Sequence, residues 1–190
     1  SVAFAAPGLG DRVVLHSHVT AVSGARHRTG VGGALKLHQR AWALEHGFEV
    51  ITWTFDPLVA RNARFNLSKL AARVDRYLVN LYGELDDVIN SGGESDRLLV
   101  RWDLADDVVA AAAAGKAFLV DDSNAEDVHK VALPADIELL RKSDPTAARA
   151  WRLAMRGKLA GVLDHGGQVL GLAPSGEYVV QAATPRGQSR

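Results

Sequence analysis

Four glycines and the basic side chains of Arg26, His27 and Arg28 occur in one short segment, GARHRTGVGGALK (residues 24–36), where an apolar helix pattern begins. Glycine has no Cβ, so its backbone can turn sharply or come close to another group. The first amides of a helix have no intrahelical partner and carry partial positive charge, so they bind anions when no side chain intervenes. The segment therefore predicts either a tight turn or a place where an anionic group approaches the backbone.

Two nucleotide-binding motifs that use glycine in this way do not fit the segment. The dinucleotide fingerprint G-x-G-x-x-G/A would start at Gly30 and Gly32, but its last position is Leu35, whose branched side chain prevents close helix–strand packing. The phosphate-loop pattern G-x-x-x-x-G-K-S/T does not occur. A glycine turn and a phosphate site at a helix N-terminus both remain open at this point.

The patterns around the segment predict a single mixed α/β sheet. The predicted elements are a β-hairpin over residues 1–22, a helix over Ala34–His46 that stops at Gly47, a strand over 48–55, a helix from Asp56-Pro57 to about Leu70, and strands over 73–83 and 96–104. Alternating apolar residues favour the strands, glycine ends the first helix, and Asp-Pro is a helix-start signal. Trp53 and Trp102 are predicted to lie in the core or in a pocket wall.

The character of the sequence changes after residue 104. Residues 106–129 combine an alanine run with acidic residues, which predicts a connector without strong local structure. A short strand, helical turns from Asp136, a helix over Pro145–His165 and a hairpin turning at Pro174–Gly176 follow. We therefore divide the chain into a core, residues 1–104, and a C-terminal α+β extension, residues 105–190, which is expected to cover the main sheet.

Composition excludes several classes of protein. The net charge of zero argues against nucleic acid or an anionic membrane as a partner. The absence of cysteine excludes disulfides, thiolate metal sites and a cysteine nucleophile, and is typical of a reducing cytoplasm. The longest apolar run, Val108–Ala114, is too short to cross a bilayer. We expect a cytoplasmic protein without a membrane or nucleic-acid partner.

A strand, RHRTGVGGALK, a helix and the strand VITWTF, in that order, resemble the GNAT superfamily of N-acetyltransferases. The acetyl-CoA motif of that superfamily is Q/R-x-x-G-x-G/A: Gly30 and Gly32 match its last two positions, and His27 replaces the Gln or Arg. Residues 1–104 are similar to a little-characterised bacterial branch of predicted acetyltransferases, and residues 105–190 only loosely so. The resemblance implies a mostly antiparallel sheet with a splay between two central parallel strands, here Val13–Val22 and Phe48–Thr54.

The resemblance also implies a reaction. Acetyl-CoA would be the acyl-donor substrate, a primary amine would attack its thioester directly, and no metal would be needed. Amides of Thr20, Ala21 and Val22 would hydrogen-bond the pantetheine and the thioester carbonyl. The pyrophosphate would be held by the following loop and helix start, namely His27, Arg28, Thr29, Gly30, Val31, Gly32 and Gly33.

One catalytic position departs from the family. The tyrosine that protonates the departing thiolate in many relatives would fall at Leu67, which cannot donate a proton. Asn62 and Asn66 are candidates to contact the cofactor there, and Tyr77 and Tyr82 are candidates to replace the tyrosine.

The candidate general base lies in LHSHVT. His16 and His18 share one face of a strand, and His18 is nearer the predicted splay. An imidazole that titrates near neutrality suits deprotonation of an amine. The alternatives are structural histidines, or a metal pair that would need a third ligand. Glu84, in the polar loop with Asp86 and Asp87, is a further candidate for the acceptor side, with solvated loop charge as its alternative.

Members of the family begin with a strand and two helices that wall the acceptor site, and this chain enters the fold after them. We expect that the chain is a piece of a longer polypeptide; the extension or a second subunit of a homodimer could also supply that wall. The predicted function is acyl-CoA-dependent N-acyl transfer to a small amine of unknown identity. The alternatives are a non-catalytic CoA-binding or structural module, and a partner-binding protein that acts through residues 105–190.

Overall fold

The computed structural model describes residues 2–8, 13–19, 30–83, 95–120 and 128–183. Its elements are β1 (Val2–Pro7), β2 (Val13–Val19), α1 (Val31–Glu45), β3 (Val50–Phe55), α2 (Ala60–Ala63), a π-helix (Arg64–Lys69), β4 (Arg73–Leu78), β5 (Arg97–Asp103), α3 (Asp107–Ala113), β6 (Val128–Val131), α4 (Ile137–Ser143), α5 (Pro145–Asp164), β7 (Gln168–Leu172) and β8 (Tyr178–Gln181). The strands form a five-stranded and a three-stranded sheet.

The five-stranded sheet has the order β1-β2-β3-β5-β4, and its only parallel pair in the described part of the chain is β2–β3. Parallel neighbours need a crossover connection, and α1 provides it. The prediction of a mixed, mostly antiparallel sheet is confirmed. The predicted hairpin is confirmed as well, since β1 and β2 pair antiparallel.

Helix α1 ends where its sequence predicts. Gly47 has φ of +77°, and the Phe48 amide donates to the Ala43 carbonyl at 2.9 Å, which closes the last turn as a glycine C-terminal motif. The helix starts three residues earlier than predicted, at Val31, because Gly30 with φ of +79° already forms its N-terminal boundary.

The buried face of α1 is not the one that its large apolar residues suggest. Leu37, Trp42 and Leu44 are exposed, whereas Gly33, Lys36 and Ala43 are buried. These three positions are separated by three and seven residues and therefore share one face of the helix. A lysine thus occupies the centre of the helix–sheet interface.

The prediction of a helix beginning at Asp56-Pro57 is wrong. The Asp56 carboxylate accepts a hydrogen bond from the Leu58 amide and one from Arg141 of α4, and the chain makes a turn before α2 begins at Ala60. The helix then widens into the π-helix rather than continuing as α-helix to Leu70.

The predicted connector after residue 104 is also wrong, because part of it forms α3. Asp106 caps this helix by accepting a hydrogen bond from the Val108 amide, and alanine, the strongest helix former, fills its interior. The helix from Pro145 and the β7–β8 hairpin are confirmed.

Two buried carboxylates join the C-terminal helices to the five-stranded sheet. Asp56 lies within 4.0 Å of Arg97, Arg141 and Arg152, and Asp96 accepts two hydrogen bonds from Arg156. The apolar core is likewise shared, since the same buried cluster contains Trp53 and Trp102 together with Met155, Leu159 and Tyr178. The division of the chain at residue 104 remains a prediction.

Candidate functional site

The start of α1 has the features of an anion-binding site. Its boundary residue Gly30 provides no side-chain cap, and its first turn contains no acidic residue. A Cβ built on Gly32 would meet nothing within 4 Å, so the space beside Gly32 is open within the described structure. The side chain of Lys69 reaches this turn, because its Nζ would lie 3.1 Å from a Cβ on Gly33. A cation therefore lies beside the first turn of a helix whose N-terminal amides have no side-chain cap, which favours an anion there.

Part of the predicted site lies outside the described residues. This applies to the amides and side chains of Thr20, Ala21, Val22, Arg26, His27, Arg28 and Thr29, and to Glu84, Asp86 and Asp87. Of the residues predicted to hold a pyrophosphate, the structure describes Gly30, Val31, Gly32 and Gly33.

Strands β2 and β3 pair over only two positions. Leu15 pairs with Ile51 and His16 with Thr52, although β2 continues to Val19 and β3 to Phe55. We call the region between Ser17–Val19 and Trp53–Phe55 the gap. Its closed end is the last backbone pair, and its open end faces the start of α1, since a crossover helix runs back along the strands it connects.

Lys36 lies against the closed end of the gap, on the side of the sheet that α1 covers. Its Nζ donates hydrogen bonds to Ser17 Oγ at 3.0 Å and to Gln39 Oε1 at 3.1 Å, and it lies 3.9 Å from the centroid of the Trp53 ring. The residue is only 4% exposed, and burial lowers the pKa of its amine to about 8. Among the described residues, Lys36 makes no ion pair.

The opposite face of the sheet at the gap carries polar side chains. His16 Nδ1 lies 3.0 Å from Thr52 Oγ1, and the Thr54 and Tyr82 hydroxyls are 3.4 Å apart. Because side chains alternate along a strand, His18 shares the face of His16, and Thr54 that of Thr52. We call His16, His18, Thr52, Thr54 and Tyr82 the polar face. The structure thus brings His18, on β2, and the Tyr82 hydroxyl, beside Thr54 of β3, to one side of the sheet.

The two histidines differ in environment. His16 is half-buried, and its pKa is lowered by burial first and then by the charges of His18 and Lys36. His18 is exposed, with its ring centroid 6.2 Å from that of Phe4. His18 is therefore the more accessible of the two candidate bases.

The two candidate tyrosines also differ. The Tyr77 hydroxyl is buried and donates to Asp96 Oδ2 at 2.7 Å, and burial, followed by that hydrogen bond, raises its pKa well above the usual range. Such a phenol is a poor proton donor near neutral pH. Tyr82 is exposed, and its ring lies beneath the Arg97 guanidinium. Leu67, where the resemblance to N-acetyltransferases predicts a tyrosine, is buried in the core.

The candidate asparagines lie on α2 and the π-helix. The side-chain oxygen of Asn66 accepts a hydrogen bond from Trp53 Nε1 at 3.0 Å and is buried with it. Asn66 thereby fixes the ring that faces Lys36. Asn62 is half-buried on α2. The prediction that these two residues contact a cofactor stays a prediction.

A cleft of about 560 Å³ extends from Lys69 along the π-helix. Phe65, Ala112 and Leu119 supply apolar walls, and Arg64 and Lys116 supply positive charge. Because Lys69 also borders Gly33, this cleft adjoins the start of α1. Another cleft, of about 520 Å³, is lined by Val13, Gly47 and Arg101 at the far ends of β2 and β3, away from the gap.

Two negative findings hold within the described ranges. These residues contain no group of three or more histidines and carboxylates that could hold a metal ion. The described helices include none with both the length and the apolar character needed to cross a membrane.

Comparison with known proteins gives no assignment: no family model matches the chain, and no curated protein is significantly similar to it.

The sequence prediction missed Lys36 and Lys69. Lys36 follows Gly33 by one helical turn, so the small residue and the lysine share a face, and this spacing was the available signal. Lys69 is distant in sequence from Gly33, and only folding of the π-helix brings them together.

Proposed function

We propose that the chain is an acyl-CoA-dependent N-acyltransferase of the GNAT fold that transfers an acetyl or related acyl group to a primary amine. The observation that carries the proposal is the parallel pair β2–β3, which stops pairing after His16 and Thr52 while both strands continue. A gap of this kind, with a helix start at its open end that has no side-chain cap, suits a thioester ligand that carries a diphosphate.

In this proposal the diphosphate of CoA binds the amides of Val31, Gly32 and Gly33, with Lys69 as a neighbouring cation. The pantetheine arm then enters the gap between β2 and β3. The cleft beside Phe65 accommodates the nucleotide end, because it adjoins Lys69 and combines an apolar wall with positive charge. A cleft of this volume is typical of a small-molecule site.

The acceptor amine approaches from the polar face. His18 removes a proton from the ammonium form of the acceptor, and the neutral nitrogen attacks the thioester carbonyl carbon. The new C–N bond forms, the C–S bond breaks, and Tyr82 protonates the departing thiolate, so that CoA leaves as a free thiol. The nitrogen then loses its extra proton to become the amide, and that proton restores the Tyr82 hydroxyl through solvent. No covalent enzyme intermediate is required.

A panel of primary amines, assayed by release of free thiol from acetyl-CoA, tests the proposal. With the best acceptor, His18→Ala is expected to lower kcat by about 10²–10⁴-fold with little change in the affinity for acetyl-CoA. His16→Ala is the matched control, because it alters the same strand and face but should cost much less. Equal rates for wild type and His18→Ala, with the same acidic limb in the pH profile, would refute the role of His18.

A non-catalytic CoA-binding module is the second candidate. It is favoured by Leu67, which is buried and has no proton to donate at the position where many relatives have a tyrosine. The same assay separates the two candidates: a module binds acetyl-CoA but releases no thiol with any amine.

A further inference from the structure

The Lys36 ammonium group is buried, and no counter-charge lies beside it among the residues that the structure describes. Its neighbours at hydrogen-bond distance are the neutral oxygens of Ser17 and Gln39, and the Trp53 ring covers another side. Neither an aspartate nor a glutamate among the described residues forms an ion pair with it. The positive charge of Lys36 is therefore not neutralised by any described neighbour.

Such an arrangement is unfavourable unless something compensates it. Buried charges in proteins are almost always paired, and a methionine or leucine would fill the same space with no charge to desolvate. Two neutral hydrogen bonds and a cation–π contact compensate only in part. An anion that enters the gap with a ligand would supply the missing charge.

The position of Lys36 in the gap indicates which part of a thioester would meet it. Its neighbours Ser17 and Trp53 are the first residues beyond the last β2–β3 backbone pair, so the amine lies at the closed end. The start of α1, at Gly30, is six residues away, which is roughly 9 Å along a helix. Because a pantetheine arm is longer than this when extended, a ligand held there by its diphosphate has to bend within the gap to bring its acyl end, rather than its nucleotide, to Lys36.

We propose that Lys36 selects acyl donors whose acyl chain ends in a carboxylate, that is, CoA thioesters of short dicarboxylic acids. This inference rests on the proposed function and names its donor class. The terminal carboxylate accepts a charge-assisted hydrogen bond from Lys36 Nζ in place of Ser17 or Gln39. Neutral acyl chains of the same length leave the cation unpaired.

Calorimetric titration with succinyl-CoA and butyryl-CoA tests the inference, because the two acyl chains have four carbons each and differ in the terminal carboxylate. Wild type is expected to bind succinyl-CoA at least tenfold more tightly than butyryl-CoA, because a hydrogen bond between two charged groups contributes at least this much affinity. Lys36→Met and Lys36→Gln are expected to bind both thioesters with affinities within about threefold of each other. Lys158→Met is the matched control, since it removes an exposed lysine of α5, and it should keep the wild-type preference.

Each other outcome has a definite meaning. If wild type binds CoA and acetyl-CoA but shows no preference for succinyl-CoA, the donor class is wrong and the proposed function stands. If Lys36→Met weakens both thioesters equally, Lys36 serves the fold and the inference is overturned. An acyl adduct on Lys36 in the intact mass would also overturn it, because the amine would then act as a nucleophile. If wild type binds no CoA compound, the proposed function itself fails.

Discussion

Replacing Lys36 by methionine should change how stability depends on pH, because the folded protein holds this amine in an unfavourable environment. Burial lowers its pKa from 10.5 to about 8. A difference of this size corresponds to about 3 kcal/mol of destabilisation when the amine is charged in both states. Methionine has a similar length and no charge, so it removes this cost.

The sign follows from proton binding in the two states. Below pH 8 both folded and unfolded chains bind the proton, and the full cost is present. Between pH 8 and 10.5 the unfolded chain binds more protons than the folded one, so the stability of wild type rises with pH relative to the variant. At pH 7 the variant's gain should be smaller than about 3 kcal/mol, because methionine cannot donate to Ser17 or Gln39.

Urea unfolding of wild type and Lys36→Met, followed by circular dichroism at several values between pH 7 and 10.5, measures the difference in unfolding free energy. We expect that difference to shift by about 3 kcal/mol in favour of wild type over this range. Tyrosines that titrate in the same range are common to both proteins and cancel. The exposed control Lys158→Met should give a constant difference. A constant difference for Lys36→Met as well would refute the argument that Lys36 is a desolvated amine.

Three further predictions concern neighbouring groups. Tyr82→Phe should lower kcat about tenfold or more without changing acetyl-CoA affinity, and unchanged steady-state turnover would remove Tyr82 as the acid. In Lys36→Met, the His16 pKa measured by NMR should rise, because a nearby positive charge is lost; an unchanged value would mean that Lys36 is not charged there. Burial works to raise the pKa of Asp96, but hydrogen bonds from Arg156 and Tyr77 outweigh it and lower that pKa. Asp96→Asn should therefore lower the free energy of unfolding, measured in urea at pH 7, by about 3 kcal/mol. This loss should disappear as the pH falls below the ordinary carboxyl range, where Asp96 of the wild type is protonated. A loss under about 1 kcal/mol at pH 7 would contradict this role.

Local signals made much of the fold predictable. Gly47 ends α1, Asp144-Pro145 starts α5, and the turn at Pro174–Gly176 joins β7 to β8, because each signal acts on residues next to it in the chain. The connector predicted over the alanine run is wrong because the helix propensity of alanine and the Asp106 cap are sufficient to form α3.

Contacts between distant residues were not predictable in the same way. Asp56-Pro57 predicts a helix start, but Asp56 lies in a turn, and its carboxylate binds Arg141 of α4, which is distant in sequence. The large apolar residues of α1 suggest the wrong buried face, because Leu37, Trp42 and Leu44 are exposed. The residues buried against the sheet are Gly33, Lys36 and Ala43. Of the candidate site, the sequence revealed the glycine turn and the strand histidines, while Lys36 and Lys69 needed the folded chain.

Binding of acetyl-CoA to Gly32→Val, measured by calorimetry, tests the central claim most directly. A side chain at Gly32 meets open space in the structure, so the variant should fold, whereas Gly30, with φ of +79°, would be strained by valine. Gly157→Val, at a helical glycine of α5 that also faces open space, is the matched control. The account predicts at least a tenfold loss of affinity for Gly32→Val, with native circular dichroism and wild-type affinity for the control. Wild-type affinity in a folded Gly32→Val protein would contradict a diphosphate site at the start of α1.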